Sequence, residues 1–462
     1  MDKKKKVTAV FDIGKTNKKF FLFDAKFRQL YKAYSKFEEV KDEDGYPSDN
    51  LSAIESWIKS LFSEILASEQ YDVQAINFST YGASFVHLDQ QGRPIGPLYN
   101  YTKPYPKEVL DSFFDKYGDS LAFAAKTASP EAGMLSSGLQ LYRLKYCRPK
   151  FFQKIRWSLH FPQYLSYLFT GLPVSDYTSL GCHTGLWDYE QGDYHEWVYA
   201  EGIDKILPPL ISTRASINMD YEGKPIRIGV GIHDSSAALL PYMRAQQDTF
   251  LLVSTGTWSV SLNPFHNRIL TVDDIRNNCL NYMRIDGKPV MASRLFLGNE
   301  YKLQVKELSE NFDKPYGYHR NLTFNEAIFV KLMKDKKKKF HFQSIDVDGP
   351  QPETSSLHIF DSFEEAYHQL MIELIELQLK YIKKAIGDTP IKRIYVDGGF
   401  TDNDIFIKLL TTYLNNYEVR TTRSPLGSAL GAAMVISDKK IGARFLKKHY
   451  AMQKHEPLIF SS

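Results

Sequence analysis

The chain begins with two apolar runs on either side of a short polar turn. Residues 7–13 are mostly apolar and include Asp12 near their end, and residues 20–23 form the second run. Two such runs around a glycine-containing turn predict a β-hairpin. Gly14 lets the backbone turn without a Cβ clash, so successive N–H groups can face one anion. The pattern favours a phosphate-binding hairpin. The alternative is an ordinary edge hairpin with a solvated, lysine-rich turn.

The side chains of this first turn also suit a phosphate group. Thr16 and Asn17 offer polar donors, and Lys15 or one of the lysines that follow adds positive charge. Asp12 stands at the mouth of the turn, where a carboxylate could hold a hydrated Mg²⁺ beside phosphates. The first turn is therefore a candidate site for phosphates and Mg²⁺.

Residues 249–263 repeat this plan in the other half of the chain. An apolar run leads into a turn rich in hydroxyl side chains that contains Gly256 and Thr257, and an alternating pattern follows. A duplicated hairpin with a glycine in each turn suggests one nucleotide held between two related domains. Gly256 and Thr257 are the candidate phosphate contacts of this second turn.

A third turn follows an apolar strand late in the chain. Gly398 and Gly399 end that strand, and a helix is predicted behind them with Thr401 or Asp402 as its N-cap. Two adjacent glycines let a flat ring or a phosphate approach the backbone closely. Gly398, Gly399 and Asn403 are therefore candidates for nucleotide contact.

The remaining pattern alternates between strands and helices, which predicts an α/β protein. The length of 462 residues suits two domains of roughly 200 to 250 residues. We expect an N-terminal domain over residues 1–245 and a C-terminal domain over 246–462. Helical spacing of apolar residues predicts helices over 51–66, 109–123, 161–169, 323–333, 363–384, 403–414 and 426–436. The segments 276–284 and 290–296 carry no decisive pattern.

Composition narrows the possible partners. The net charge of +4 is small for this length, and the lysine runs lack interleaved aromatic residues, so nucleic-acid binding is not expected. No apolar run of about 18 residues is present, so membrane insertion is not expected either. The three cysteines lack metal-ligand spacing and suit buried thiols in a reducing cytoplasm. A homodimer is left open.

A candidate catalytic carboxylate follows a short apolar strand over residues 226–231. His233 and Asp234 come where this strand ends and a helix begins. A carboxylate at a helix N-terminus is stabilised in its charged form and is exposed to any cleft at that edge. The alternative is that Asp234 only caps the helix. His183 lies in a run of small residues. Taken alone, such a histidine is more typically structural than catalytic.

These motifs together resemble the FGGY family of carbohydrate kinases, within the actin, hexokinase and Hsp70 superfamily of ATPases. The resemblance covers nearly the whole chain. Its motifs occur in the family's order, and they are Asp12-Ile-Gly14, Gly231-Ile-His233-Asp234, Ser254-Thr255-Gly256-Thr257-Trp258, Asp397-Gly398-Gly399 and Ala429-Leu-Gly431. The His-Asp pair and the Gly-Thr-Trp turn are most similar to the L-rhamnulose and L-fuculose kinases.

The resemblance implies two ribonuclease H-like domains around a deep cleft that binds ATP and Mg²⁺. It implies that Asp234 is the general base for a sugar hydroxyl, that both hairpin turns hold phosphates, and that the third turn borders adenosine. The expected substrate is a small ketose such as L-rhamnulose, L-fuculose or xylulose. Residues expected at the sugar are Ser84, Phe85, Lys103, His183, His233 and Asp234.

The chain departs from those kinases in the expected sugar pocket. Ser84 stands where they usually carry an aspartate, and Lys103 lies in a loop that lacks their usual acid or arginine. Lys103 suggests an acidic sugar, so a kinase of a sugar acid or a polyol is one alternative. A non-catalytic sugar or nucleotide sensor and an actin-like ATPase are the others.

Overall fold

The first sheet is built around the first hairpin. This computed structural model describes residues 4–221, 223–245, 248–335, 337–423 and 426–459. The hairpin strands pair antiparallel, with Asp12 opposite Lys19, and a parallel strand lies on the other side of the first one, with Asp12 beside Ser79. Ile232–His233 continues the sheet beside Thr80. The other strands lie in the order Ser216–Tyr221, Lys224–Gly229, Tyr71–Thr80, Lys5–Ile13, Lys18–Asp24, Gln29–Ser35.

The second sheet repeats this arrangement around the second hairpin. Ser254 pairs antiparallel with Val260 and parallel with Asp397, so Ser254 holds the place that Asp12 holds in the first sheet. The strands lie in the order Cys279–Met283, Pro289–Leu295, Ser259–Asn263, Phe250–Thr255, Arg393–Gly398, Glu418–Thr421, Gln453–Lys454. In both sheets a run of antiparallel strands, three in the first and four in the second, is followed by parallel strands. This arrangement confirms the predicted pair of ribonuclease H-like units.

Two helices, Asp234–Ala245 and Gly427–Val435, lie between the sheets. One apolar cluster joins both helices to both sheets, with Phe21 from the first sheet and Tyr395 from the second. The helices touch at Gly431, where an added Cβ would lie 1.8 Å from the carbonyl oxygen of Ala237. Other helices cover the outer faces of the sheets, so the chain is layered as helices, sheet, helices, sheet, helices.

Between the first sheet's fourth and fifth strands in sequence, residues 81–215 form an insertion with its own apolar core around Trp197. Its strands are short, and they are Phe85–Leu88, Pro94–Ile95, Trp157–His160, Ser175–Asp176, Trp187–Asp188, Asp193–Tyr194 and Leu210–Ile211. Its helices are Lys107–Tyr117, Ser120–Thr127, Ser137–Cys147, Pro149–Phe152, Phe161–Thr170, Tyr177–Leu180 and Glu196–Ala200. A further pair of short strands, Val40–Lys41 and Pro47–Ser48, precedes the Leu51–Ala67 helix.

The second unit carries the remaining helices. The Phe363–Ile386 helix runs through the centre of that core. The others are Val272–Arg276, Leu297–Asn311, Glu326–Leu332, Asp404–Tyr413 and Ala443–His449. Within the described residues, no helix combines the length and the apolar character needed to cross a bilayer.

Most predicted elements are confirmed to within a few residues, and three details are wrong. The helix predicted over 109–123 is two helices, because Gly118 adopts a φ of +93° and ends the first. Asn403, not Thr401 or Asp402, caps the Asp404–Tyr413 helix, since a 3₁₀ turn over Gly399–Asp402 comes first.

The third detail concerns the cysteines. Cys147 is exposed at the end of its helix, whereas Cys182 and Cys279 are buried as predicted.

The described strands of the first sheet end at His233 and those of the second begin at Phe250. The predicted domain boundary lies between these strands, at residues 245 and 246, and residues 246 and 247 lie outside the described part of the chain.

Candidate active site

The second and third turns line one pocket of about 560 Å³. Gly256 and Thr257 come from the second turn, and Gly399 and Asn403 come from the third. The remaining lining residues are mostly aromatic or cationic, and they are Gly298, Tyr301, Lys302, Tyr316, His319, Arg320, Leu322, Tyr367, Phe400 and Asp402. Glycine backbone at one end and aromatic rings at the other suit the phosphates and the base of a nucleotide.

Thr255 ties these two turns together. Its hydroxyl donates to the carbonyl oxygen of Asp397 at 2.5 Å and accepts from the N–H of Phe400 at 3.1 Å. Gly398 has a φ of +89°, and an added Cβ would lie 1.9 Å from the carbonyl oxygen of Thr255. The close approach of the two backbones therefore requires glycine at position 398.

Asn403 supports the pocket wall through its side-chain amide. Its Oδ1 accepts from the N–H of Phe406 at 3.0 Å, and its Nδ2 donates to the Tyr367 hydroxyl at 2.8 Å. The Tyr367 and Tyr301 hydroxyls lie 2.8 Å apart. Asn403 thus holds the aromatic wall in place, and a direct contact with nucleotide stays a prediction.

The first turn is held by Asp49 from outside the hairpin. Asp49 accepts from the Lys15 ammonium at 2.5 Å and from the buried Lys18 ammonium at 2.9 Å. Lys15 is therefore already ion-paired, whereas Thr16 and Asn17 are exposed at the tip. The N–H of Gly14 closes the turn by donating to the carbonyl of Asn17 at 2.9 Å.

Asp12 lies beside this turn and is almost completely buried. Burial raises the pKa of its carboxyl group, and the nearby Asp234 carboxylate raises that pKa further. Two groups oppose this rise and lower the pKa of Asp12. The Lys19 ammonium lies 3.6 Å from Asp12 Oδ2, and the Ser428 hydroxyl donates to Oδ1 at 2.9 Å. Asp12 and Asp234 are thus electrostatic neighbours, as the predicted metal and base pair requires.

Asp234 is the first residue of the helix between the sheets, and about a third of its side chain is exposed. Its Oδ1 lies 3.2 Å from His233 Nε2 and accepts from the Ser235 hydroxyl at 3.2 Å. Among the described residues, none donates to its Oδ2. Burial lowers the pKa of His233, so its ring is neutral near pH 7 and its Nε2–H can orient Asp234.

Buried polar groups without hydrogen-bond partners among the described residues surround the segment 82–85. They include the Ser84 hydroxyl, Gln140 Oε1, both ring nitrogens of His160, and Nδ1 of His183 and of His233. Gln140 Nε2 donates to the Ala83 carbonyl at 2.9 Å, and the His160 ring lies 4.4 Å from the Phe85 ring. An added Cβ on Gly82 would lie 2.7 Å from Cys182 Sγ and 3.2 Å from His233.

These groups form a buried polar cluster around His233. Burial, and secondarily His233, lower the pKa of His160 to about 3. Burial likewise lowers the pKa of His183, which has a φ of +51° and lies 3.2 Å from the Tyr282 hydroxyl. Buried polar atoms are costly without partners, and the hydroxyl groups of a sugar would supply them.

The structure does not bring Lys103 into this group. Phe85 is completely buried in the core of the insertion and touches the group through its ring contact with His160. The Lys103 ammonium lies 2.5 Å from Asp42 and 2.6 Å from Asp44. Its charge is therefore neutralised by two carboxylates, and the acidic-sugar hypothesis cannot depend on it.

The chemistry around Asp12 fits Mg²⁺. The Asp12 and Asp234 carboxylates influence each other electrostatically there, and Mg²⁺ prefers hard oxygen ligands such as carboxylate and phosphate oxygens. The described residues contain no group of three or more histidine, cysteine or acidic side chains placed to hold a metal ion.

Several residues of the site were missed at the level of sequence. Tyr301, His319 and Tyr367 of the nucleotide pocket sit on helices or a turn without a local motif. Ser428 lies in the small-residue helix, whose pattern signalled close packing but not a contact with Asp12. Gln140, Tyr282 and Arg294 come from segments that gave no chemical signal.

The two ribonuclease H-like units and their intervening helices define the class of actin-like ATPase folds. Solved structures of this fold include a carbohydrate kinase from Novosphingobium aromaticivorans, with a TM-score of 0.79 at 22% identity over 97% of this chain and 96% of that one. A xylulose kinase from Rhodospirillum rubrum has a TM-score of 0.77 at 17% identity over 98% and 94%.

Sequence comparison gives the family. The N-terminal domain model of the FGGY family of carbohydrate kinases matches residues 7–229. The rhamnulokinase of Halalkalibacterium halodurans is 20% identical over 388 residues, which are 76% of this chain and 78% of the relative. A Yersinia pestis rhamnulokinase is 27% identical over 237 residues, 48% of this chain and 46% of the relative. Residues 7–229 therefore carry the N-terminal domain of the FGGY family of carbohydrate kinases, and these relatives support a sugar kinase as the enzyme class.

Proposed function

We propose that this protein transfers the γ-phosphoryl group of ATP to one hydroxyl group of a small sugar, with Asp234 as the general base. The observation that carries the proposal is the position of Asp234. Its carboxylate influences the pKa of Asp12 beside the first turn, and its Oδ1 lies 3.2 Å from His233, which adjoins the partnerless polar groups. The rhamnulokinase and xylulose kinase relatives support a ketose as the substrate.

In this reaction Asp234 Oδ2 accepts the proton of the attacking hydroxyl. His233 and Ser235 both contact Oδ1, which fixes the carboxylate and leaves Oδ2 toward the substrate. A positioned base typically contributes about 10² to 10⁴ in rate. Phosphoryl transfer otherwise depends on alignment and charge neutralisation, and alignment accounts for roughly 7 to 11 kcal/mol of the barrier.

The phosphates would be held by the backbone and hydroxyl groups of Gly14, Thr16, Asn17, Gly256 and Thr257. Bound Mg²⁺ would neutralise phosphate charge, and Asp12 is the residue placed to hold it. Gly399 and the aromatic wall that Asn403 supports would take the adenosine. Closing the two units over both substrates would exclude water from the site.

A screen of ATP turnover across ketoses, pentoses, polyols and aldonates tests the proposal. We expect ADP release only when a suitable sugar is present, together with a phosphorylated sugar product. ADP release without any sugar dependence would favour the actin-like ATPase alternative. Nucleotide and sugar binding without turnover would favour the sensor.

Cytoplasmic location and a homodimer remain predictions from the sequence. A purified sample analysed by light scattering would test the second.

A further inference from the structure

A single arginine from the second unit reaches the group around His233. Arg294 lies near the end of the Pro289–Leu295 strand, and its guanidinium carbon is 5.5 Å from the centre of the Trp258 ring. Its positive charge alters the pKa of His183 and of Cys182, which belong to the insertion of the first unit. Arg294 therefore lies within electrostatic range of residues that border the proposed sugar site in the first unit.

This guanidinium has no anionic partner among the residues that the structure describes. Its Nε is buried without an acceptor. The groups that share its surroundings are uncharged near neutral pH, because burial raises the pKa of Cys182 and of Tyr282 and lowers that of His183. A guanidinium stays protonated even where burial lowers its pKa, as it does for Arg294. A buried cation without a counter-ion is costly, so a site of this kind suits an anionic ligand.

The position of Arg294 separates this ligand from the nucleotide phosphates. The charged groups that influence Asp12, on the phosphate side, are Lys19 and Asp234. Arg294 instead influences the pKa values of Cys182 and Tyr282, to which Asp234 also contributes. Arg294 is also absent from the residues that line the nucleotide pocket.

We propose that the sugar phosphorylated beside Asp234 carries a carboxylate group, and that Arg294 binds this group. The inference rests on the proposed kinase function and narrows its substrate class to sugar acids, including keto acids. In this inference Arg294, and not Lys103, is the cation that binds the acid group of the sugar. Lys103 is already neutralised by Asp42 and Asp44, whereas Arg294 has no such partner among the described residues. A planar guanidinium also matches the geometry of a carboxylate better than an ammonium does.

The test compares matched acidic and neutral sugars. At saturating ATP, the wild-type protein is expected to show a kcat/KM for aldonates or keto-aldonates at least about tenfold above that for neutral ketoses and polyols of the same carbon number. Arg294→Gln is expected to lower kcat/KM for the acids by about 10- to 100-fold, as loss of a charge-assisted bond does, and to leave the KM for ATP unchanged. Arg294→Lys should recover part of the loss. The exposed Arg276, changed to Gln, is the matched control.

Two outcomes would overturn the inference. One is a wild-type preference for neutral sugars that Arg294→Gln leaves intact. The other is an increased KM for ATP in Arg294→Gln with every sugar, which would assign the cation to the phosphates. Calorimetric binding of the acids without ATP separates this inference from the kinase proposal. Suppose that the wild-type protein turns over no sugar but binds the acids, and that Arg294→Gln abolishes this binding. That result would support the carboxylate site and reject the kinase proposal.

Discussion

Ser428 Oγ donates a hydrogen bond of 2.9 Å to Asp12 Oδ1, across 416 positions of sequence. The two residues belong to the small-residue helix of the second half and to the first hairpin. Asn77 makes a second link, since its Nδ2 donates to the carbonyl of Ala432 at 2.8 Å. The helix of the second half is thereby fixed to the strand that presents Asp12, and we infer that Ser428 is a positioning residue.

Ser428→Ala should impair activity mainly at acidic pH. The Ser428 hydroxyl lowers the pKa of Asp12 against the effect of burial, so its removal should raise that pKa. The acid limb of the pH profile of kcat/KM should move to higher pH, with little change on the alkaline side. Ser437→Ala, just beyond the end of this helix, is the control. An unchanged acid limb would contradict a role for this hydrogen bond.

Asp234→Asn should lower kcat by about 10² to 10⁴ while the affinity for ATP stays within about twofold. The amide keeps the size of the carboxylate but cannot accept the hydroxyl proton. Turnover and nucleotide binding are measured on the same sample, with the exposed Asp115, changed to Asn, as control. Turnover within threefold of wild type would show that another group is the base.

The glycines at 256 and 398 should respond differently to substitution. An added Cβ at Gly256 meets only the Trp258 carbonyl oxygen, at 3.7 Å, so Gly256→Ala should fold normally. Gly256→Val should weaken ATP binding by about tenfold or more, because the side chain occupies the phosphate approach. Unchanged affinity in the valine variant would refute this assignment.

Gly398→Ala should instead destabilise the fold, because its Cβ would overlap the Thr255 carbonyl at 1.9 Å and its φ of +89° disfavours a side chain. Thermal melting followed by circular dichroism measures the difference. A melting temperature equal to that of Gly256→Ala would contradict the close contact between the second and third turns.

Asp397 should make stability depend on pH. Burial raises the pKa of its carboxyl group from 3.8 to about 6, against a smaller opposing effect from Ser254. As pH rises, Asp397 loses its proton at a lower pH in the unfolded chain than in the folded one. The carboxyl group therefore lowers the free energy of unfolding progressively from about pH 4 to about pH 6, and this cost persists at higher pH.

Asp397→Asn should therefore be more stable than wild type at pH 7.5, by about 1 to 3 kcal/mol, with the difference vanishing near pH 4. Melting at a series of pH values measures it, with Asp115→Asn as the exposed control. A variant that is less stable at pH 7.5 would show that the ionised carboxylate is stabilising.

Local sequence patterns were sufficient for the hairpins and most helices. The runs around Gly14 and Gly256 specify their hairpins through alternation and turn chemistry, which act over a few residues. The Phe363–Ile386 helix likewise follows from its apolar face. The strands Cys279–Met283 and Pro289–Leu295 gave no decisive pattern, since they are buried on both faces and do not alternate.

The site itself could be predicted only where a residue lies within a motif. Asp234 follows a strand and begins a helix, so the partial exposure of its side chain was predictable, whereas His233 beside it is buried. The charge of Lys103 was not, because Asp42 and Asp44 approach it only in the folded chain. Arg294 gave no signal because its importance depends on which charges are absent around it in space.

The most direct test of the central claim is the identity of the product. Purified protein, ATP and Mg²⁺ are incubated with each sugar of the panel, and the sugars are analysed by mass spectrometry and ³¹P NMR. The account predicts that the wild-type protein adds a single phosphate ester to one sugar and forms ADP in equal amount. It predicts that Asp234→Asn forms almost none of this product. ADP formation without any phosphorylated sugar, or an equal yield from Asp234→Asn, would contradict it.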